Sequence, residues 1–283
     1  MWSAFLAAHK VKRRVTTVLF SLMASTLVPA RRAILALVPA LVFIAPVVSA
    51  QTVVQQFYIP LPEQQVRTTL QLLYASTGAQ FDSVVSVVVN ADGTQITYDH
   101  WEDGYEVDID NPVQTSTRVW GDGNDANGIA PGFVNDPVGL PGGSVLSLRN
   151  LVSLPRNPSA VLYDGRDRLG ATKAVVVSRA AWATSPGSVL AGAVEVASTL
   201  DYGTEFIVPV GQNVSAASMF EVVALYVQAA ENGTAVQIDA DGNGTYEIAA
   251  TLARGEVYHV PTGILSGARV LSSKPVQASS PAI

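Results

Sequence analysis

The 283 residues carry 17 basic and 23 acidic side chains; six of the basic ones, and no acid, fall in the first 50, leaving 51–283 with 11 against 23 and a net charge of −12. That charge argues against nucleic acid and anionic lipid as partners of the body, because both need Lys and Arg to neutralise phosphate. The absence of cysteine excludes disulfides, so stability must come from an apolar core, from metal ions or from both.

Arg31 and Arg32 precede an apolar run, Ala33 to Val48, that ends in Val48-Ser49-Ala50. A basic start, an apolar middle and a small-residue end are the parts of a secretory signal peptide, here an N-terminal helix over 1–50 cleaved between Ala50 and Gln51. Fifty residues is long for a signal, and Met23 offers an alternative start. The competing reading is an uncleaved anchor, since the run approaches the ~20 residues of a bilayer span. Pro39, Pro46 and the small-residue end favour cleavage. The expected location is extracellular or at the cell surface, with membrane contact only through this segment if it is retained.

The body reads as strands. Residues 63–75, with Val66, Leu70 and Leu73 at helical spacing after Glu63, are the one helix candidate, although 68–74 also suits a strand. Residues 81–89 form a β-branched run, followed by Asp92-Gly93 and the alternating stretch 94–98. A loop rich in Gly, Asn, Asp and Pro occupies 121–143, and a second irregular stretch covers 155–167. Further strands are expected at 173–178, 189–196, 206–210 and 222–227. Asn232-Gly233 precedes the strand 234–238, and Asn243-Gly244 precedes 245–248. Asp-Gly and Asn-Gly tolerate positive φ, so three hairpins are expected at these turns. The fold class is therefore all-β, built as antiparallel β-sandwiches. The expected domains are a β-rich region over 51–168 with a long acidic loop, and a C-terminal β-sandwich over 169–283. The last segment, 276–283, offers no clear closing element, which suggests that further strands follow.

The densest chemistry lies between Asp99 and Asp125, where eight carboxylates fall within 27 residues beside one basic residue, Arg118. Like charges this close repel unless a cation or hydrogen bonds absorb them. Hard oxygen donors suit calcium, with Asp99, Glu102, Asp103, Asp122 and Asp125 as ligands. Such a loop would display Trp101, Tyr105 and Trp120 as stacking platforms for a glycan or a peptide. A solvated acidic loop with its aromatics partly in the core accounts for the same residues. A catalytic pair of carboxylates is the third reading, although nothing in the spacing selects a pair. Asp239, Asp241 and Asn243 match the first half of a calcium-loop motif, D-x-[DN]-x-[DN]-G, but position twelve is Ala250 and no helices flank it; a polar hairpin tip fits equally. Only His100 and His259 follow the leader, which makes zinc improbable. His259 alternates in a strand as a surface or edge residue, and Arg166 and Arg168 are expected to pair with nearby acids.

Four segments in order, Gly203-Thr204-Glu205-Phe206, Ala230-Glu231-Asn232-Gly233-Thr234, Gly255-Glu256-Val257-Tyr258 and Ser272-Ser273-Lys274-Pro275-Val276, resemble the N-terminal domain of IgG-Fc-binding proteins and its bacterial relatives. The resemblance covers about 200–276. The block from Tyr98 to Glu106, with Trp120-Gly121-Asp122-Gly123, is similar to the opening of large secreted bacterial surface proteins that carry such a domain. The resemblance implies a β-sandwich adhesive or matrix module, brings no catalytic residue with it, and does not imply immunoglobulin binding. The function expected is a secreted or surface-displayed, non-catalytic module for adhesion, ligand binding or scaffold assembly, stabilised by calcium if the acidic loop binds it. Its partners would be extracellular proteins or glycans. The alternatives are a secreted carbohydrate-active hydrolase using the 99–125 acids and a purely structural envelope protein.

Overall fold

The structure is a computed structural model that describes residues 52–74, 77–185, 190–214 and 221–281. The expected signal helix and the Met23 start lie outside these residues. Within them the chain is all-β and antiparallel throughout, with one α-helix, α1 (Glu63–Leu73), where the sequence predicts it. Pro62 sits before the first turn and Val66 and Leu70 turn inward, so α1 is held by its apolar face rather than by a side-chain cap.

Two four-stranded sheets face each other in the N-terminal part. One takes the order β1 (Gln55–Tyr58), β6 (Arg168–Ala171), β3 (Ile96–Asp99), β4 (Arg118–Trp120). The other runs β5 (Val145–Ser153), β2 (Gln80–Val89), β7 (Val175–Ala183), β8 (Leu190–Val196). Period-two alternation sets the inner face. In β2 the residues Phe81, Ser83, Val85, Val87 and Val89 are buried while their neighbours face outward. Val85, Val87, Leu146, Leu148 and Val177 of one sheet pack on Ile96, Tyr98, Trp120 and Leu169 of the other.

The C-terminal part is sandwich-like but made from one sheet. It contains β9 (Gly203–Ile207), β10 (Leu225–Ala229), β11 (Thr234–Asp239), β12 (Ile248–Leu252), β13 (Val257–Val260) and β14 (Arg269–Ser279). The first half of β14 pairs with β9 and β11, and its second half pairs with β10. A register break between Leu271 and Val276 separates the halves, so the sheet folds over its own core of Val227, Ile238, Val270 and Val276. Residues 276–279, where the sequence offered no closing element, are this second half of β14.

Two expectations need correction. The boundary placed at 168/169 falls at the start of β6, which pairs with β1 and β3; β7 and β8 also belong to the N-terminal sandwich. The change of sheet lies instead between Val196 and Gly203. Of the three predicted hairpins, only the one at Asn243-Gly244 forms, joining β11 to β12. Asp92-Gly93 lies between β2 and β3, which belong to facing sheets, and Asn232-Gly233 joins β10 to β11, which pair with β14 rather than with each other. A tight-turn dipeptide permits a reversal; the burial of the strand that follows decides which neighbour it takes.

The helix sits at the junction. Leu61, Val66 and Leu70 pack with Phe81, Val152, Ala224, Tyr226 and Val257, drawn from both parts. Gln277 donates to the Tyr58 carbonyl at 2.7 Å and to Gln228 Oε1 at 2.6 Å, and Gln228 donates to the Ile59 carbonyl at 3.2 Å. These buried amides tie the two parts together where water is excluded. Among the described residues no helix is long and apolar enough to cross a membrane.

Candidate functional site at the junction

Antiparallel register brings two distant acidic segments together. Asp99 at the end of β3 lies opposite Arg168 at the start of β6. The turn after β3 (100–106) therefore folds against the loop before β6 (154–167). Asp99 accepts from Arg168 Nε at 2.8 Å and from the Glu106 amide at 3.1 Å. Glu106, also buried, uses one oxygen to accept from Val113 N, Gln114 N and Thr117 Oγ1, which shapes the turn that follows. Glu102 accepts from Arg156 and, at 3.0 Å, from Leu162 N. Asp167 is wholly buried and accepts from Tyr98 Oη at 2.8 Å, Asp164 N at 3.0 Å and Trp101 N at 3.2 Å. Asp164 accepts from Trp101 Nε1 at 3.0 Å and from Arg156 Nε at 2.5 Å. Beneath α1, Glu63 pairs with Arg179, a guanidinium inside the sandwich.

Six buried carboxylates (Glu63, Asp99, Glu102, Glu106, Asp164, Asp167) thus face three guanidinium groups, those of Arg156, Arg168 and Arg179. Burial pushes the Asp164 carboxyl up to about 9, with the charges of Glu63 and Asp167 adding to it and Arg156 opposing. Burial also raises Asp167 well above the usual carboxylate range, with Glu102 adding, and raises Asp99 despite Arg168. His100 moves the other way: burial lowers its pKa, although Glu102 favours its charged form. Its Nδ1 lies 2.9 Å from the Leu162 carbonyl, to which the neutral ring donates. The excess negative charge must be met by protons or by another cation.

Over this cluster opens a pocket of about 240 Å³ whose walls include Gln65 of α1, Trp101, Arg156, Asp164, Arg166 and Glu256. Two of its neighbours are strained: Leu61 and Arg166 have φ of 57° and 88°. The strain has a visible origin. A Cβ on Gly165 would lie 2.5 Å from Pro62 Cα, so the 165–166 turn is pressed against the entry to α1. The Arg166 amide donates to Ile59 O at 2.7 Å and its carbonyl accepts from Tyr105 Oη at 2.6 Å, which holds the backbone there. The Arg166 guanidinium lies 4.2 Å from the Trp101 ring centroid. Arg166 Nε and Gln65 Oε1 are buried without a partner among the described residues. Arg168 forms the expected ion pair; Arg166, contrary to expectation, forms none among the described residues.

The predicted site residues separate. Trp101 lines the pocket, half-buried, and shares its ring with Arg166. Tyr105 is half-buried, edge-on to Tyr58 at 5.6 Å. Trp120 is 1% exposed and belongs to the core, so it is no stacking platform; β4 turns it inward between the sheets. Asp99 is taken by Arg168, and Asp103 is exposed and accepts from Ser116. Asp122 accepts from Asn124 N and Asn127 Nδ2, and Asp125 accepts from Asp136 N. Asp136, which sequence reasoning passed over, holds the 121–136 loop: one oxygen accepts from the amides of Gly121, Asp122 and Gly123, and the other from Ala130 N. Asp122, Asp125 and Asp136 are thus all engaged in hydrogen bonds within that loop. Asp239 and Asp241 do come together, with Glu247, within 4.8 Å, while the Asn243 amide donates to both aspartates.

Glu63, Arg156, Asp164, Asp167 and Arg179 also escaped sequence reasoning. The available signal was the charge alternation Asp164-Gly165-Arg166-Asp167-Arg168 inside an otherwise irregular stretch. No family model matches the chain, and no curated protein or solved structure matches it.

Proposed function

We propose that this chain is an exported, secreted or surface-displayed, non-catalytic module that takes a group of an extracellular protein or glycan into the junction pocket, in adhesion or scaffold assembly. One observation carries the reading. Arg166 holds a guanidinium free of ion pairs among the described residues over an aromatic face, on a backbone strained into that place. Strain of this kind costs ~1–3 kcal/mol and clusters where ligands bind. A guanidinium beside an aromatic ring and an unpartnered amide oxygen fits an acidic sugar or a carboxylate-bearing peptide. Calcium keeps a candidate place in the 239–247 turn.

The test is binding of the purified chain to arrays of acidic and neutral glycans and carboxylate-bearing peptides. Arg166→Ala and Trp101→Ala should each weaken binding at least tenfold while leaving the circular dichroism unchanged. Binding that is indifferent to both variants would refute the pocket as the site. A hydrolase is the second reading, favoured by Asp164, a carboxylic acid raised to about 9 in the pocket wall. It predicts turnover of a polysaccharide that Asp164→Asn abolishes. A purely structural envelope role would instead give assembly without ligand binding.

A further inference from the structure

The sheet that carries β3 has a second face, turned away from the core. Ile96 and Tyr98 point inward, so Gln95 and Thr97 belong to the outer face, yet they are only 8% and 7% exposed. The turns before and after β4 share this face with them. The 108–113 turn is seated by buried Ile109 on Gly170 of β6, where a Cβ would lie 2.9 Å from Ile109 Cδ1. The 121–127 turn is held by Asp136 through the amides of Gly121, Asp122 and Gly123. Residues of both turns and of the sheet line a cavity of about 600 Å³, the size of a small-molecule site. Gln95, Thr97 and Val119 come from the sheet side, Asp110 and Val113 from the first turn, and Asn127 from the second.

We propose that this outer-face cavity binds an uncharged oligosaccharide. Its polar groups are unpaired: the Gln95 side-chain amide and the Thr97 hydroxyl bond to nothing among the described residues, Gln95 engaging Thr172 through its main chain alone. Asn127 donates through Nδ2 to Asp122, and its Oδ1 has no partner among the described residues. A sugar hydroxyl both donates and accepts, so it can meet the amides and the threonine alike. No Lys, Arg or His lines the cavity, and an anion there would face Asp110 and Asp122 without a countercharge. A cation finds those carboxylates already engaged, Asp110 by Val53 N and Asp122 by Asn124 N and Asn127 Nδ2. Val119 and the exposed Val113 offer apolar contact to the C–H face of a sugar ring. The cavity shares no lining residue with the junction pocket, so this site stands or falls apart from that one.

The experiment titrates the purified full chain, carrying methyl-labelled valine, with cellotriose, maltotriose, mannotriose and triacetylchitotriose, and follows the methyl resonances by NMR. At least one of these sugars should saturably shift the methyls of Val113 and Val119, while those of Val257, in the junction pocket, stay in place. Trigalacturonate and trilysine, as charged controls, should shift them less. Thr97→Val removes the hydroxyl at nearly constant shape and should weaken binding roughly two- to tenfold, the worth of one hydrogen bond. Arg166→Ala should leave it unchanged. Three results would overturn the site: no shift at Val113 and Val119 with any of the four sugars, a stronger response to either charged control, or equal affinity in Thr97→Val and the wild type.

Discussion

Thr69 of α1 and His259 of β13, 190 residues apart, meet at 2.9 Å between Oγ1 and Nε2. The same hydroxyl lies 3.0 Å from Tyr226 Oη, and the Tyr226 ring stacks on His259 with centroids 4.5 Å apart. A histidine expected at a strand edge therefore serves as a clasp between the helix and the C-terminal sheet.

Burial pushes the His259 pKa down to about 4. The folded state holds the ring neutral, so as pH falls below about 6.5 the unfolded chain takes the proton first. The stability from the neutral ring is complete above that pH and is lost as pH falls through 4. His259→Gln should show a flatter loss of stability between pH 6.5 and 4 than the wild type. Parallel urea denaturation series across that range check it, and coincident slopes would show that the clasp does not titrate.

Glu63 and Arg179 form an ion pair inside the sandwich, 3% and 0% exposed at the side chain. Removing one partner strands the other charge. Glu63→Gln should cost ~3–5 kcal/mol, and the double replacement Glu63→Leu with Arg179→Met should recover most of it. Denaturation midpoints of the three variants decide the matter.

Asp136 accepts four backbone amides of its loop. Asp136→Ala should cost roughly 1–3 kcal/mol for the donors left unmet and should open the loop first. Limited proteolysis would then cut within 122–135 while near-ultraviolet circular dichroism of the core stays native. Unchanged protection would mean that the turn residues suffice.

Gly165→Ala places a Cβ 2.5 Å from Pro62 Cα, a backbone atom that cannot move aside cheaply. We expect a loss of ~1–3 kcal/mol, as for overpacking, together with weaker ligand binding as the 165–166 turn lifts. Thermal unfolding and the glycan array read the two effects separately.

How far the sequence could be read depended on range. The β-branched run 81–89 and the spacing of Val66 and Leu70 are local patterns, and β2 and α1 sit where those patterns place them. Pairing is not local: Asp92-Gly93 looks like a hairpin turn until the facing sheet competes for the strand that follows. Asp99 and Glu102 were legible as acids of one dense segment, but the cations that meet the buried acids were not, for the same reason. Arg156 reaches Glu102 across 54 residues and Arg179 reaches Glu63 across 116, so no window of the sequence holds both partners. Trp120 misled because an aromatic beside acids reads as exposed, whereas a three-residue strand turns it into the core.

Gln277, in the final strand, donates to the carbonyl of Tyr58, in the first, and lies among the last residues of the described chain. A polypeptide emerging amino end first from a ribosome cannot complete this junction until Gln277, 219 residues beyond Tyr58, has followed. Premature closure of the two parts on each other would thus be disfavoured by topology itself.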